Sequence, residues 1–305
     1  MTYDIVLCMH PSHKNIAVKT IKSLQYFLDG QKFFVITSQD AFTALKEKVD
    51  RNVPLYFVDE NTLIEDFDLS EVKKAMLEEM GRNDRANWYF QQYLKMAVAL
   101  HPEIGDYYLI WDSDTLLLRR IEFFDESGKI LFNPMKGGSQ SYFDLIKDAL
   151  GIERQVEYSF INEHLMIKKA LMVDLIHTLE EKAPENMSWV RYLIHSMGRQ
   201  KFSYLGFSEF ETYGNFAAYH HKDMYKPRVL KTARAGAEFF GMNPDKYDYF
   251  RLMRNGYSLI SFEFRHRTST FKVIKEKMKS RVYYYKYQVK GENKALRHNA
   301  IQMSN

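Results

Sequence analysis

The N-terminal third of the chain alternates between short apolar runs and amphipathic helical patterns, and this alternation limits the available folds. Runs at 3–9, 32–38 and 53–58 are short enough for buried strands. Between them, apolar residues recur at helical spacing up to a closing Gly30, and a second helix spans 40–49 with Asp40 as its N-cap. Strand, helix, strand, helix, strand predicts an α/β fold whose mostly parallel central sheet is flanked by helices.

The remainder of the chain is less regular. Residues 59–84 predict a loop with a short helix, and 85–101 predict a helix that leads into a fourth strand. Later strands are expected at 129–133, 159–167 and 257–264, later helices at 168–180 and 187–198, and a short strand running through a loop into a helix at 202–220. Because no repeat or linker interrupts the chain, we expect one domain over 1–268 and a C-terminal extension over 269–305.

Composition excludes several classes of protein. Apolar residues make up 46% of the chain and charged residues 27%, which is typical of a globular protein and not of a disordered one. The single cysteine, Cys8, lies in an apolar run, so we expect a buried thiol and a reducing, cytoplasmic compartment. We expect neither a signal peptide nor a membrane-spanning helix, because no long apolar run is present.

Two aspartates directly follow the fourth predicted strand, in the stretch YYLIWDSD. Asp112 and Asp114 therefore lie where an α/β sheet places its ligand crevice, and a charge there needs a partner. Mg²⁺ and Mn²⁺ prefer carboxylate oxygens, and such an ion stabilises a departing diphosphate. The spacing alone is weakly specific: Asp66 and Asp68 repeat it in a polar stretch, where a solvated loop is the simpler interpretation. A turn whose aspartates cap a helix is the structural alternative for Asp112 and Asp114.

Four stretches, in this order, resemble a bacterial family of predicted glycosyltransferases of the GT-A fold that are linked with capsule and lipopolysaccharide. The stretches are NWYFQQYLKMA, YYLIWDSDTLLLRRIEFF, FINEHLMI and FSEFETYGNF. The resemblance extends from about residue 3 to about residue 220. It implies transfer of a sugar from a nucleotide-sugar, most simply a UDP-sugar, to a glycan or lipid-linked glycan in surface polysaccharide synthesis. It also implies a nucleotide-binding half over 1–115 and an acceptor half over 116–268.

The resemblance implies roles for individual residues in the donor site. Asp112 and Asp114 become the pair that holds Mn²⁺ or Mg²⁺ and the diphosphate. The residues expected to contact the nucleotide, its phosphates or the donor sugar are His10, Pro11, Ser12, Asp59, Arg85, Gln91 and Gln92. For the first four, an ordinary loop position is an equally good interpretation. We expect the neighbouring Trp88 to pack in the core.

Three polar residues, Asn162, Glu163 and His164, interrupt a predicted strand. Polar groups in a strand are hard to bury without partners, so we expect all three to face the cleft. His164 is either a metal ligand or a hydrogen-bonded structural histidine. Many GT-A enzymes complete the metal site with a late histidine, for which the candidates here are His220, His221 and His266.

Two glutamates, Glu209 and Glu211, are the candidates for the catalytic base. An inverting transferase needs a group that takes the proton of the acceptor hydroxyl, and the resemblance places an acidic residue for this task where a helix begins. Ser208 is the expected N-cap, and a glutamate in the first turn also suits the helix dipole without any catalytic role. We favour Glu209 over Glu211. In a retaining enzyme, both glutamates would instead hold the acceptor.

The C-terminal extension is basic. From Phe271 onward, nine Lys or Arg residues face two Glu residues, and Phe271, Ile274, Met278, Val282 and Tyr285 recur at helical spacing. This pattern favours either a peripheral contact with an anionic membrane or a helix docked on the domain. Nucleic acid is not expected, because the preceding domain is slightly acidic.

Two alternatives to a glycosyltransferase stay open at this point. A nucleotidyltransferase of sugar phosphates shares the sheet and the paired carboxylates, but the loop CMHPSHKN lacks the glycines that such enzymes use to bind phosphate. The second alternative is a non-catalytic protein that binds glycans or a surface.

Overall fold

The computed structural model describes residues 1–28, 31–263, 268–289 and 293–304. In chain order, its strands are β1 Asp4–Cys8, β2 Phe33–Thr37, β3 Leu55–Asp59, β4 Tyr107–Trp111, β5 Thr115–Leu117, β6 Ile130–Phe132, β7 His164–Lys168, β8 Tyr225–Pro227, β9 Thr232–Ala233 and β10 Leu259–Ser261. Its helices are α1 Lys14–Phe27, α2 Gln39–Lys46, α3 Leu69–Met80, α4 Ala86–Ala97, α5 Gln140–Leu150, α6 Lys169–Lys182, α7 Trp189–Ser203, α8 Glu209–His220, α9 Gly236–Phe240, α10 Lys246–Arg254, α11 Thr270–Val289 and α12 Lys294–Ser304.

The central sheet has five strands in the order β3-β2-β1-β4-β7. The first four are parallel, and β7 runs antiparallel to β4, with Trp111 opposite His164. β1 and β2 are buried along their whole length, because helices cover a parallel sheet on both faces and leave no polar side. Cys8 is a buried thiol, as expected. The prediction of a mostly parallel α/β sheet flanked by helices is confirmed.

Two groups of helices pack around this sheet. α1 contacts α2 and α12, whereas α4 packs on β1 and contacts α3, α6 and α8. α4 buries Tyr89, Tyr93 and Leu94, so it is held against the sheet by large apolar side chains. This packing brings the start of α8 close to the residues that follow β4.

A smaller sheet supports the chain just beyond β4. β5 pairs antiparallel with β10, and β9 lies parallel on the other side of β10. The amide of Phe262 donates to the carbonyl oxygen of Asp114 at 2.8 Å, and the hydroxyl groups of Thr115 and Ser261 lie 2.7 Å apart. The two aspartates are therefore held between two sheets and do not lie in a free loop.

Several predicted element boundaries differ from the structure. The short strand expected within 202–220 is wrong, because α7 resumes after a break at Gly198 and ends at Ser203, and a loop then leads into α8. The prediction that Asp40 is the N-cap of α2 is wrong: the N-cap position is occupied by Ser38, and Asp40 lies in the first turn of the helix. Only the last part of the run 159–167 is a strand. The stretch 59–84 contains α3. The side chain of Asp68 accepts hydrogen bonds from the first amides of this helix, so Asp68 is its N-cap and not part of a solvated loop. Two predicted boundaries lie outside the described residues. They are the end of the first helix at Gly30 and the end of the late strand at Phe264.

The C-terminal extension packs on the rest of the chain. α11 lies on α9 and α10, and α12 lies on α10 and α1. Tyr284, Ala300 and Met303 are buried in the same apolar core as the central sheet. Within the described ranges, no helix combines the length and the apolar character needed to cross a membrane.

Candidate active site

The predicted site residues come from separate segments and meet at one edge of the central sheet. β1 leads to His10, β3 ends at Asp59, and β4 leads to Asp112. Because β7 is antiparallel to β4, it begins at this same edge, directly after Glu163. This edge is where open α/β sheets bind ligands, since helices and loops leave a crevice outside the strand ends.

Lys95 of α4 links the residues after β4 to the start of α8. Its Nζ lies 2.9 Å from Oδ1 of Asp112 and 3.0 Å from Oε1 of Glu209. Its side chain is 12% exposed and that of Glu209 is 7% exposed, so water screens this pair less than the pair with Asp112, whose side chain is 36% exposed. Burial disfavours the ammonium, but Asp112 and Glu209 outweigh burial and hold the pKa of Lys95 above its ordinary value. Lys95 is therefore a permanent cation between the two carboxylates.

The Asp-Ser-Asp segment is a tight turn between β4 and β5. The amide of Thr115 donates to the carbonyl oxygen of Asp112 at 3.0 Å, and Nε1 of Trp111 donates to the carbonyl oxygen of Thr115 at 2.7 Å. Ser113 is buried beneath the turn. Because a strand and not a helix follows, the alternative in which these aspartates cap a helix is wrong.

The surroundings of Asp114 disfavour its ionised form. Burial raises the pKa of its carboxyl group to about 7, and the neighbouring carboxylates of Asp112 and Glu263 raise it further, while Lys95 opposes them. A nearby positive charge would favour the ionised form of Asp114. The site therefore gains stability from a cation close to this pair.

A second ion pair lies beside the turn. Nε of Arg234 lies 2.8 Å from Oε1 of Glu163, whose side chain is buried. Burial disfavours the guanidinium, but Glu163, Glu263 and Asp112 raise the pKa of Arg234. The carbonyl oxygen of Glu163 accepts the amide of Asp112 at 3.0 Å. Asn162 is buried and donates to the carbonyl oxygen of Asn133 at 2.6 Å, so it braces this loop.

The expectation that His164 faces the cleft is wrong. Its ring is buried and stacks on Trp111 at 4.9 Å between centroids, with Phe123 edge-on at 5.8 Å. Neither ring nitrogen has a hydrogen-bond partner in the structure, so it is also not the hydrogen-bonded histidine that was expected. Burial, together with Arg228, lowers the pKa of His164 to about 3. His164 is a neutral aromatic core residue.

The structure separates the two candidate bases. Glu209 is the first residue of α8 and is paired with Lys95 at the site. Glu211 is fully buried, accepts the hydroxyl of Ser159, and lies 3.4 Å from Nδ2 of Asn215. Burial raises the pKa of Glu211. Ser208 is the N-cap of α8, as predicted, and accepts the amide of Glu211 at 3.4 Å.

The residues proposed for the nucleotide lie at the ends of β1 and β3. Nδ1 of His10 lies 2.8 Å from the hydroxyl of Ser12, and Pro11 begins the short 3₁₀ turn that leads into α1. These three residues are exposed at the edge. Asp59 is the last residue of β3, and its Oδ1 accepts the amide of Asn61 at 2.9 Å. Their local contacts are those of ordinary turns.

The residues of α4 have different environments. Oε1 of Gln92 accepts the amide of Glu209 at 3.2 Å, and its buried Nε2 has no hydrogen-bond partner in the structure, whereas Gln91 is only partly buried. Arg85 donates to the carbonyl oxygen of Phe202 at 2.9 Å, which ties α4 to the end of α7. The expectation that Trp88 packs in the core is wrong, because this residue is 42% exposed.

A metal ion fits the oxygen donors of the Asp-Ser-Asp turn. Among the residues that the structure describes, no group of three or more histidine, cysteine, aspartate or glutamate side chains could hold a metal. Mg²⁺ normally takes one or two carboxylates and completes its shell with phosphate oxygens and water, so Asp112 and Asp114 suit Mg²⁺ or Mn²⁺ together with a diphosphate. The burial of Asp114 beside the carboxylates of Asp112 and Glu263, which a cation would offset, supports this fit.

Of the three histidines considered as a further ligand, the two that the structure describes do not add to this pair. α8 carries His220 about 16 Å from Glu209 along its axis. His221 lines a surface pocket with Tyr107 and Lys168, at the opposite end of β4. His266 lies outside the described residues.

Three charged residues of this site, Lys95, Glu263 and Arg234, are not among the residues predicted from the sequence. Lys95 had a recognisable signal, because it is a lone lysine in the otherwise apolar turn between Leu94 and Met96. Glu263 follows an apolar strand, as Asp112 does, and this position was the available signal. Arg234 had none, since its loop resembles any polar connection.

Solved structures with partial similarity to this chain include several glycosyltransferases. Mouse xyloside xylosyltransferase 1 in its apo form has 12% identity and a TM-score of 0.47, over 88% of this chain and 100% of that chain. The galactosyltransferase LgtC, in complex with donor and acceptor sugar analogs, has 13% identity and a TM-score of 0.43, over 85% of this chain and 86% of that chain. Core-mannan synthase A from Aspergillus fumigatus, in an Mn/GDP form, has 6% identity and a TM-score of 0.44, over 74% of this chain and 72% of that chain.

At the level of sequence, no curated protein matches this chain. One family model does match: DUF6492, described as a family of unknown function, aligns with residues 14–242. The aligned stretch begins with α1, ends just after α9, and includes Lys95, the Asp-Ser-Asp turn and Glu209. Since this stretch is well over half of the chain, the protein belongs to the DUF6492 family.

Proposed function

We propose that this protein is a metal-dependent glycosyltransferase of the GT-A type. It would move a sugar from a nucleotide-sugar, most simply a UDP-sugar, to a glycan acceptor. The observation that carries the proposal is the Lys95 bridge, which brings Asp112 and Glu209 together at the carboxyl edge of the sheet. A diphosphate-binding group and a base for the acceptor are the two components that an inverting sugar transfer requires.

The donor would bind across the ends of β1, β3 and β4. His10, Pro11, Ser12 and Asp59 border the half of the edge formed by β1 and β3, and we assign the nucleotide to that half. Asp112 and Asp114 would hold Mn²⁺ or Mg²⁺, which, when bound, neutralises the charge that develops on the diphosphate as the sugar leaves. Gln92 would offer its unpartnered amide to the donor sugar.

The acceptor would approach from the start of α8. During transfer, the anomeric carbon loses its bond to the diphosphate and gains one to the acceptor oxygen, while the hydroxyl proton passes to the carboxylate of Glu209. Lys95 orients that carboxylate, and the helix begins beneath it with its amides capped by Ser208 and Gln92. Glu211 is left to brace the neighbouring loop through Ser159.

The acceptor that we propose is a surface glycan, such as a capsular or lipopolysaccharide chain carried on a lipid, made on the cytoplasmic face of a membrane. The support is the likeness of the four sequence stretches, together with a basic C-terminal extension that suits an acceptor held at an anionic surface. The corresponding division is a donor half over 1–115, an acceptor half over 116–268 and an extension over 269–305.

The proposal is tested by the substitution Asp114→Asn. It removes one charge at nearly constant shape, so the fold should persist while the cation site is lost. Binding of UDP is titrated calorimetrically with and without Mn²⁺, and hydrolysis of a panel of UDP-sugars is followed in parallel. We expect Mn²⁺ to tighten UDP binding to the unmodified protein by about tenfold or more, and Asp114→Asn to abolish that gain together with hydrolysis.

The matched control is Asp66→Asn, since Asp66 has the same Asp-x-Asp spacing but lies in an exposed loop before α3. It should behave as the unmodified protein does. If Asp114→Asn retains Mn²⁺-dependent UDP binding and hydrolysis, the assignment of the site is wrong.

A further inference from the structure

α11 presents a continuous apolar stripe to solvent. The stripe consists of Phe271, Ile274, Met278, Val282 and Tyr285, which are between 52% and 78% exposed. Their spacing of three and four residues aligns them along one face of a helix of about 30 Å. Exposed apolar residues are normal one at a time, but a row of this length marks a contact surface.

The opposite face of α11 is already fixed to the domain. Ser280 and Tyr284 are buried, Arg251 of α10 lies 3.1 Å from the carboxylate of Glu276, and Lys277 lies 3.0 Å from Asp248. At about 100° per residue, this docked face lies on the side away from the stripe. The expectation that the helix docks on the domain is therefore confirmed. The same helix also has a second apolar face, which points to solvent.

Basic residues border the stripe on both sides. Lys275, Lys279 and Lys286 line the same shallow groove of about 580 Å³ as the apolar side chains, and Arg281 projects on the other flank. Glu276 is the one acidic residue of α11, and it pairs both with Arg251 of α10 and with Lys279, whose Nζ lies 2.6 Å from Oε1 of Glu276. The outward face of α11 thus combines an apolar centre with a border to which Lys275, Lys286 and Arg281 contribute positive charge.

The apolar centre and the basic border together indicate which partner binds this face of α11. A second copy of the chain would bring one basic border against another, because a symmetric contact pairs the same surface with itself. An anionic bilayer complements both features: apolar side chains enter the boundary between headgroups and acyl chains, and lysines contact lipid phosphates. We propose that this face of α11 docks the protein on an anionic lipid surface.

α9 and α11 lie on the side of the chain that follows the candidate site. Glu263 lies near Asp114, and α11 begins at Thr270. α9, which follows Arg234, contacts α11 directly, and Gly241 at its end approaches Val273. Because α9 packs on the inner face of α11, docking of α11 would keep α9 close to the membrane. The inference does not depend on the proposed chemistry, because it concerns binding alone.

The experiment is sedimentation of the full chain with lipid vesicles, without nucleotide or metal. Vesicles of phosphatidylcholine alone are compared with vesicles that also contain phosphatidylglycerol. We expect binding to the mixed vesicles to exceed binding to phosphatidylcholine by about tenfold or more, and to weaken as salt is added. The triple variant Ile274→Ser, Met278→Ser and Val282→Ser should lose most of this binding, and Lys275→Gln with Lys286→Gln should weaken it and reduce its salt dependence.

The control is Leu77→Ser with Val229→Ser, which removes exposed apolar residues elsewhere and should leave vesicle binding unchanged. All of these positions are exposed, so thermal unfolding should be the same for each variant. Equal binding to both kinds of vesicle, or full binding by the triple variant, would overturn the proposal. So would a self-association of the unmodified chain, seen by analytical ultracentrifugation, that the triple variant loses while neither protein binds vesicles.

Discussion

At the scale of single residues, Lys95 decides how the acidic groups of this site act. Without it, Asp112 and Glu209 would be two carboxylates at a partly dry edge, and their repulsion would favour protonation or movement. With it, one buried cation orients both and keeps the start of α8 facing the Asp-Ser-Asp turn. Removing one partner of such a group leaves a buried charge unpaired, which costs several kcal/mol.

Glu209→Gln tests the role of the carboxylate at this scale. Gln cannot accept the proton of an acceptor hydroxyl, so we expect kcat to fall by about 100-fold or more while binding of UDP with Mn²⁺ changes little. Glu211→Gln is the contrasting variant, because Glu211 points toward Ser159 and Asn215 and not toward Lys95. Steady-state kinetics and calorimetric titration separate the two effects. Unchanged turnover in Glu209→Gln would remove Glu209 as the base.

At the scale of elements, the position of α8 depends on close contact with the loop before β7. Gly214 in the middle of α8 lies against the ring of Phe160, and a Cβ at this position would meet that ring at 2.2 Å. Because α8 begins with Glu209, any shift of the helix also moves the candidate base. The glycine therefore lowers intrinsic helix stability but allows the approach that the site needs.

Gly214→Ala should destabilise the protein, although Ala is the better helix former by about 1 kcal/mol. Overlap with Phe160 should lower the free energy of unfolding by about 1 to 3 kcal/mol, measured by urea denaturation. The double variant with Phe160→Leu should recover part of this loss, because the smaller side chain leaves room for the methyl group. A more stable Gly214→Ala protein would show that the contact is looser than the structure has it.

At the scale of the whole molecule, one apolar core unites the central sheet, both helix groups and α12. His164 lies inside this core as a neutral ring stacked on Trp111. Its pKa is lowered to about 3 in the folded protein from an ordinary value of 6.5. Below about pH 6.5 the unfolded chain takes up a proton that the folded chain does not, so stability falls as the pH drops through this window.

His164→Phe should remove this acid sensitivity while preserving the aromatic stack. The free energy of unfolding of the variant relative to the unmodified protein should rise as the pH falls below about 6.5, by up to about 1.4 kcal/mol per pH unit. Urea denaturation at several pH values measures this difference. His220→Phe is the control, because His220 is exposed and should leave the slope unchanged. Parallel pH profiles for His164→Phe and the unmodified protein would contradict the prediction.

The sequence by itself determined the class of fold and the position of the acidic turn. Alternating strand and helix patterns dictate a parallel sheet, and an apolar strand that ends in Asp112 must deliver that aspartate to the carboxyl edge, because both follow from local periodicity and burial. Only the tertiary structure decided which polar residues share that edge. Lys95, Glu209 and Arg234 come from segments far apart in the chain, and His164 and Trp88 exchanged their expected environments. Periodicity assigns a side chain to a face of its own element, but the partner of that face is selected by packing between elements, which no local pattern records.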